Sequence, residues 1–160
     1  MSKWNLSPLS ELTYKVTKGT TPSNKDGGFS DDGINYIKAE SVGFDGRIDE
    51  SKFSFITESV HEKLKRSQLE ENDILFSMAG VHLGKTAIVE KRHVPANTNQ
   101  ALALIRPNTT VIYPKYLLYF LQKREVVHFA NNATSQSAQP NINLKDIGSI
   151  EVLYPDLKGQ

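Results

Sequence analysis

The segment from Asn72 to Pro107 constrains the fold of this chain more than any other stretch. Its sequence, NDILFSMAGVHLGKTAIVEKRHVPANTNQALALIRP, contains apolar and β-branched runs bounded by glycines, prolines and a polar Thr-Asn-Gln corner. We predict strands at Ile74–Met78, Gly84–Glu90 and Gln100–Arg106. Because consecutive strands with short connections favour antiparallel pairing, the segment predicts a largely antiparallel sheet at the centre of the domain.

The flanking sequence predicts helices. Ser7–Pro8 is typical of a helix start, and the apolar residues that follow at helical spacing predict an amphipathic helix that ends at Gly19. Thr57 is expected to cap a second helix that runs into a basic cluster. Pro114 begins the longest predicted helix, which extends to about Asn131 and should cover the sheet.

Two long polar stretches interrupt these elements. Gly19–Gly33, GTTPSNKDGGFSDDG, and Asn131–Asn143, NNATSQSAQPNIN, contain few groups able to pack in a core, so we expect exposed loops. Shorter strands are predicted at Ile34–Val42 and Ile150–Leu153, and Asn97–Asn99 is expected to form a corner between two strands.

Length and composition exclude several classes of protein. The chain has 160 residues, which predicts a single domain over 1–160, and no apolar run of membrane length. It has no cysteine, which excludes disulfides, thiolate metal sites and cysteine nucleophiles, and its four histidines lack a paired spacing. We therefore expect no metal and no other cofactor. The N-terminus resembles no secretory signal, so a cytoplasmic protein is expected.

One motif favours a different function. Ala79–Thr86, AGVHLGKT, fits a loose nucleotide-phosphate loop, but such a loop needs a helix directly after its Lys-Thr pair, and the continuation AIVEKRHVP favours a strand. The Glu50-x-Lys52 spacing of metal-dependent nucleases lies in a polar surface segment, and no serine lies in a glycine-flanked nucleophile turn. The chain is therefore interpreted as non-catalytic.

Motifs distributed along the whole chain resemble the target-recognition domain of the specificity subunits of Type I restriction-modification enzymes. The resemblance rests on the following segments: Gly19-Thr20-Thr21-Pro22, INYIKAESV at 34–42, NDILFSMAG at 72–80 with Gly84-Lys85, Asn97, Asn99 and Gln100 leading into ALALIRP, and Gln139-Pro140-Asn141-Ile142 with Leu144, Asp146 and Ile147.

The resemblance implies an α+β fold with a curved, largely antiparallel, barrel-like sheet covered by helices. It implies a non-catalytic domain that binds double-stranded DNA and reads one half of a bipartite target. The implied partners are methyltransferase (modification) subunits, a restriction subunit in the assembled complex, and a second recognition domain or a second copy of the chain. Family members usually contain two such domains with long spacer helices, and we expect this chain to be one domain without a spacer helix.

Candidate contacts to DNA come from the polar loops and the basic residues. Side chains with paired donors and acceptors suit base edges, and cationic side chains suit phosphates. The candidate base contacts are Asn24, Lys25, Ser135, Gln136 and Gln139, and the candidate phosphate contacts are Lys38, Lys63, Lys65, Arg66 and Lys85.

A third group of residues is expected to shape the loops and not to contact DNA. Glycine, proline and asparagine permit tight connections and bond loop backbone. This group is Gly19, Pro22, Gly80, Gly84, Asn97, Asn99, Gln100 and Asn141. A rival hypothesis, an interaction or regulatory module without DNA specificity, predicts the same fold and would lack a use for the amide-rich loops.

Overall fold

The computed structural model describes residues 3–43, 45–133 and 142–160, and the fold of this part of the chain is α+β. Every helix in these ranges is too short or too polar to span a membrane. The strands are β1 (Asn5–Pro8), β2 (Thr13–Lys18), β3 (Ile34–Ile37), β4 (Ser54–Ile56), β5 (Ile74–Ser77), β6 (Thr86–Ile88), β7 (Ala96–Thr98), β8 (Leu102–Pro107) and β9 (Glu151–Tyr154), and the α-helices are α1 (Glu58–Lys63), α2 (Pro114–Leu121), α3 (Arg124–Ala133) and α4 (Leu144–Gly148).

The described strands form three sheets, with the orders β1-β9, β2-β8-β5-β6 and β4-β3-β7. All of their pairings are antiparallel except β3 with β7, and they close no barrel. The prediction of an α+β, largely antiparallel fold is therefore confirmed. The three strands predicted in the 72–107 segment are β5, β6 and β8, with β5 in the middle.

The four-stranded sheet is buried on both faces because its side chains alternate between two hydrophobic clusters. On β5, Ile74 and Phe76 pack with α2, α3 and α4, whereas Leu75 packs towards the three-stranded sheet. Strand β8 alternates in the same way, with Ile105 on the helical side and Leu104 on the other. A third cluster lies between β3, β4 and α1.

The predicted N-terminal helix is wrong. The segment forms β1, a 3-10 turn at Leu9–Leu12, and β2. Leu9 and Leu12 are buried as their spacing required, but one 3-10 turn is enough to place both side chains in the core. The following TYKVTK is rich in β-branched and aromatic residues, and it pairs with β8.

The predicted long helix is two helices. It breaks after Leu121, and α3 begins at Arg124. The apolar face of α2 ends with Leu121, and one further turn would place Arg124 and Glu125 against the core. The break rotates α3 so that Val126 and Ala130 are buried instead.

The predicted corner at Asn97–Asn99 is also wrong, because Ala96–Thr98 is strand β7. It pairs in parallel with β3, and Ile37 lies opposite Thr98. Polar residues are tolerated in this buried strand because their side chains are bonded: Thr98 Oγ1 donates to the carbonyl of Ile37 over 2.8 Å. The turn lies one step later, after Asn99.

Candidate nucleic-acid interface

One edge of the molecule brings together the start of the first loop, the turn after β5, the residues before β8 and the start of α4. A groove at this edge is lined by Lys18 at the end of β2, Ala79 after β5, Gln100 before β8 and Lys145 in α4. Because β3 and β7 run in parallel and end with the pair Ile37 and Thr98, Lys38 and Asn99 leave the two strands at the same edge. We define the loop edge as Lys18–Thr20, Lys38, Ala79–Lys85, Asn99–Gln100 and Asn143–Lys145.

The start of the first loop is fastened to the sheet by its backbone. The Gly19 N–H donates to the carbonyl of Leu102 over 3.2 Å, and the Thr20 N–H donates to the carbonyl of Thr98 over 2.9 Å. The Arg66 guanidinium donates to the carbonyl of Gly19 over 3.3 Å and to Thr20 Oγ1 over 3.0 Å. The 3-10 turn Lys65–Ser67 follows α1, and we call it the basic turn. Through Arg66 it adjoins the loop edge.

The tip of the first loop is exposed but ordered by local bonds. Asn24 and Lys25 lie in a turn closed by Asp26, whose carboxylate accepts from the Ser23 hydroxyl over 2.9 Å. That bond lowers the pKa of Asp26. Pro22 is buried at the base of the loop. The exposed side chains are thus presented from a fixed backbone, as direct contact with bases requires.

Asn97 is a buried hub that holds the basic turn against β7. Its Oδ1 accepts from the Ser67 hydroxyl over 2.5 Å, and its Nδ2 donates to the carbonyl of Leu64 over 3.1 Å. The same Nδ2 lies 3.2 Å from Nδ1 of His61. Because every polar atom of this amide is paired inside the protein, Asn97 is unavailable to DNA.

Five further residues expected to shape loops lie at the loop edge: Gly19, Gly80, Gly84, Asn99 and Gln100. Gly80 begins a 3-10 turn and Gly84 lies just after it, with φ angles of +70° and +84°. These angles fall in the left-handed region that favours glycine. Asn99 Oδ1 is buried with no hydrogen-bond partner in the described residues, whereas Gln100 is exposed in the groove. Gln100 is therefore free to contact a ligand, which the sequence did not suggest.

The predicted phosphate contacts differ in their surroundings. Lys63 and Lys65 are exposed, and Lys65 directly precedes Arg66, which contacts the first loop. Lys38 forms an ion pair with Glu40 at 3.0 Å, and Lys85 Nζ lies 3.1 Å from Nδ1 of His82. Ser135, Gln136, Gln139 and Asn141 lie outside the described residues.

Sequence reasoning missed two lysines of the groove, Lys18 and Lys145. Both are exposed at the loop edge. Lys18 directly precedes the Gly-Thr-Thr-Pro segment. Lys145 lies in the first turn of α4, which Asn143 caps by accepting from the Asp146 N–H over 2.8 Å. An Asn-x-x-Asp capping pattern was the available signal.

The structure gives no support to the catalytic alternatives. Lys85 and Thr86 lead into β6, so no helix N-terminus follows them to bind phosphate. Glu50 forms an ion pair with Arg92 at 2.8 Å. Within the described ranges, no group of three or more His, Asp or Glu side chains is placed to hold a metal ion.

Acidification is expected to destabilise this domain. Burial lowers the pKa values of His61 and His93 below the ordinary value of 6.5. His93 Nδ1 also accepts from the Glu90 N–H over 2.9 Å, which requires an unprotonated nitrogen. The folded state therefore binds fewer protons than the unfolded state, so stability present above pH 6.5 is lost as the pH falls through the lowered values. Thermal melts between pH 7.5 and 5.5 should show a falling melting temperature, with a smaller fall in H61Q and H93Q. A melting temperature that stays constant or rises on acidification would contradict this prediction.

Comparison with known proteins assigns the family. The family model described as "Type I restriction modification DNA specificity domain" matches residues 1–160, the whole chain. The chain belongs to the Type I restriction-modification DNA specificity family. The loop edge is therefore a surface of a DNA specificity domain.

Curated relatives of this specificity domain are longer proteins. It is 30% identical to a protein of Methanocaldococcus jannaschii named, provisionally, as the specificity subunit of the type I restriction enzyme MjaX, with 98% of this chain and 37% of that protein covered. It is 28% identical to the Type I restriction enzyme EcoBI specificity subunit of Escherichia coli, with 81% of this chain and 27% of that protein covered. The chain thus spans well under half the length of these relatives.

A solved structure has the same fold as this specificity domain. The HsdS subunit from Thermoanaerobacter tengcongensis superposes with a TM-score of 0.73 over 97% of this chain and 38% of that chain, at 14% sequence identity. At 14% sequence identity, this similarity is evidence of a shared fold alone.

Proposed function

We propose that this domain recognises one half of a bipartite DNA sequence for a Type I restriction-modification system and is itself non-catalytic. The observation that supports this most is the loop edge, where a groove with lysines and an exposed glutamine lies beside an ordered polar loop. Cations bind phosphates without sequence preference, and amides discriminate base edges. Side chains of both classes line the groove, where Gln100 lies with Lys18 and Lys145.

The charge distribution of this surface favours DNA over a neutral partner. The whole chain has a formal net charge of only +1. Lys18, Lys145 and Arg66 nevertheless lie on or next to the loop edge, and Lys63 and Lys65 adjoin it through the basic turn. Among the described residues the groove is lined by two lysines and by no acidic side chain, and a local positive charge of this kind attracts a polyanion even when the net charge is small.

The proposed contacts divide into three kinds. Lys18, Lys63, Lys65 and Lys145 contact phosphates, while Arg66 also fixes the first loop through Gly19 and Thr20. Asn24, Lys25 and Gln100 contact base edges, together with Ser135, Gln136 and Gln139 outside the described residues. Asn97 supports the surface from inside the protein.

The longer relatives indicate how such a domain is used. Because they are specificity subunits of Type I restriction enzymes, the half-site bound here directs methyltransferase and restriction subunits in the cytoplasm. The second half-site is bound by another recognition domain or by a second copy of this chain.

Coexpression of a full-length subunit containing this domain with its methyltransferase partner, followed by genome-wide mapping of methylated sites, tests the proposal. A methylated half-site that does not change when this domain is exchanged would refute it.

Removal of two exposed lysines, Lys63 at the end of α1 and Lys65 in the basic turn, is expected to weaken binding to all duplexes alike. In K63Q/K65Q, two phosphate contacts are lost, so affinity should fall roughly ten-fold or more at about 0.1 M salt, and the slope of log K against log salt should decrease by about 2. Fluorescence anisotropy with unrelated duplexes over a range of salt concentrations measures both quantities. The matched control is K91Q/K115Q, because both lysines are exposed at the opposite end of the sheet, near the starts of β7 and β5.

The rival hypothesis of an interaction module without DNA specificity makes a different prediction. Such a module would bind neither heparin nor one duplex in preference to another at moderate salt. If K63Q/K65Q and its control retained equal affinity and equal salt dependence, the proposed phosphate contacts would be wrong.

A further inference from the structure

We infer that Val81 is a specificity residue that contacts the C5 methyl group of a thymine in the major groove, an assignment that rests on the proposed DNA-binding function. Val81 exposes 90% of its surface, more than any other large hydrophobic side chain in the described ranges. It lies in the 3-10 turn Gly80–His82 at the loop edge. Contact between this exposed apolar side chain and an apolar group of a ligand is favourable, because both groups lose their contact with water.

The turn that presents Val81 is rigid. The Leu83 N–H donates to the carbonyl of Gly80 over 3.1 Å, and the Gly84 N–H donates to the carbonyl of Ser77 over 2.9 Å. Leu83 is buried in the core and Gly84 packs against Val127 of α3. Val81 is therefore held outward by a fixed backbone, and its β-branched side chain has few rotamers to lose on binding.

The surroundings of Val81 fit a duplex. A Cβ added to the neighbouring Gly80 would meet no atom within 4 Å, so the space around the tip is open. Ala79, two residues earlier, lines the groove with Lys18, Gln100 and Lys145, whereas Val81 itself lines a neighbouring cleft with Lys85 and Gln122. An apolar tip flanked by amide and ammonium groups matches the major groove, where the thymine methyl is an apolar group among polar base edges.

Replacement of thymine by uracil removes only that methyl group and gives a direct test. Duplexes bound by the 160-residue chain are first selected from a random pool, and each thymine of the enriched sequence is then replaced by uracil in turn. The wild-type chain should prefer thymine to uracil at one position by about four-fold, the effect of burying one methyl-sized group. In V81S this preference should disappear, whereas V81I should retain it.

Control L153S replaces a half-exposed leucine of β9 outside the loop edge, and it should keep the wild-type preference. Val81 is too exposed for its replacement to disturb the core, so V81S and V81I should fold like the wild-type chain. If a sequence is enriched but no thymine shows the preference, or if V81S keeps it, Val81 is not a specificity residue and the DNA-binding function stands. If no sequence is enriched, the proposed function itself fails.

Discussion

Replacement of Gly19 by alanine should lower the free energy of unfolding by about 3 kcal/mol, the upper part of the usual range for overpacking. A Cβ at this position would overlap the backbone carbonyl oxygens of Thr98 and Asn99. Backbone atoms cannot move aside as the end of a flexible side chain can. The first loop would have to separate from β7 and lose the bond from the Thr20 N–H to the carbonyl of Thr98.

Urea denaturation measures this effect, and G148A is the matched control. A Cβ at Gly148 would meet its nearest atom, Ser10 Cβ, at an ordinary van der Waals distance of 3.5 Å. G148A should therefore unfold close to the wild-type midpoint. Equal stability of G19A and G148A would show that the approach of the first loop to β7 is not required. G19A should also bind duplexes more weakly, because the loop that contains Asn24 and Lys25 would no longer be fastened.

Breaking the buried ion pair between Asp73 and Arg106 should be more damaging still, by about 3–5 kcal/mol for either single replacement. Arg106 donates from Nε to Oδ1 over 2.8 Å and from Nη2 to Oδ2 over 2.9 Å. Its Nη2 also donates to the carbonyl of Gln68. The Asp73 side chain is 1% exposed, so R106M leaves its carboxylate uncompensated in the protein interior. In D73N the Arg106 guanidinium keeps a single acidic partner among the described residues, Glu70, which lies 3.3 Å from Nε and is 66% exposed.

The double replacement separates this explanation from simple loss of packing. D73N and R106M should each lower the urea midpoint strongly, whereas D73N/R106M should lose less than the sum of the two, since neither charge then remains. R92Q is the comparison for an exposed pair: Arg92 and Glu50 lie 2.8 Å apart but are 60% and 44% exposed. Its effect should stay below about 1 kcal/mol. Additive effects of D73N and R106M would contradict the ion-pair explanation.

Local sequence patterns correctly predicted the elements that depend on neighbouring residues, such as a capped helix and a buried apolar strand. Thr57 caps α1 by accepting from the Val60 N–H over 3.2 Å, as its position before an apolar periodic run suggested. The strand at 74–77 follows from four consecutive buried residues of a kind that suits a two-sided sheet. The same patterns failed where helix and strand bury the same residues, as in the segment that forms β1, a 3-10 turn and β2.

The site was less predictable than the fold. The sequence identified polar loops and basic residues but could not separate an exposed amide from a buried one. Asn97 and Gln100 are three residues apart in one polar run, yet Asn97 is fully bonded inside the protein and Gln100 is exposed in the groove. Only long-range contacts with Leu64 and Ser67 distinguish them. Lys18 and Lys145 were missed for the same reason, since they meet only in the folded chain.

The sequence by itself determined the class of fold, the family and the central strands, because these follow from hydrophobic period, turn chemistry and motifs of adjacent residues. The tertiary structure alone decided which residues form the loop edge. Strand pairings such as β3 with β7 join positions about sixty residues apart in the chain. Such pairings depend on the burial of the whole sheet, so the surface that we propose contacts DNA exists only when the core beneath it is complete.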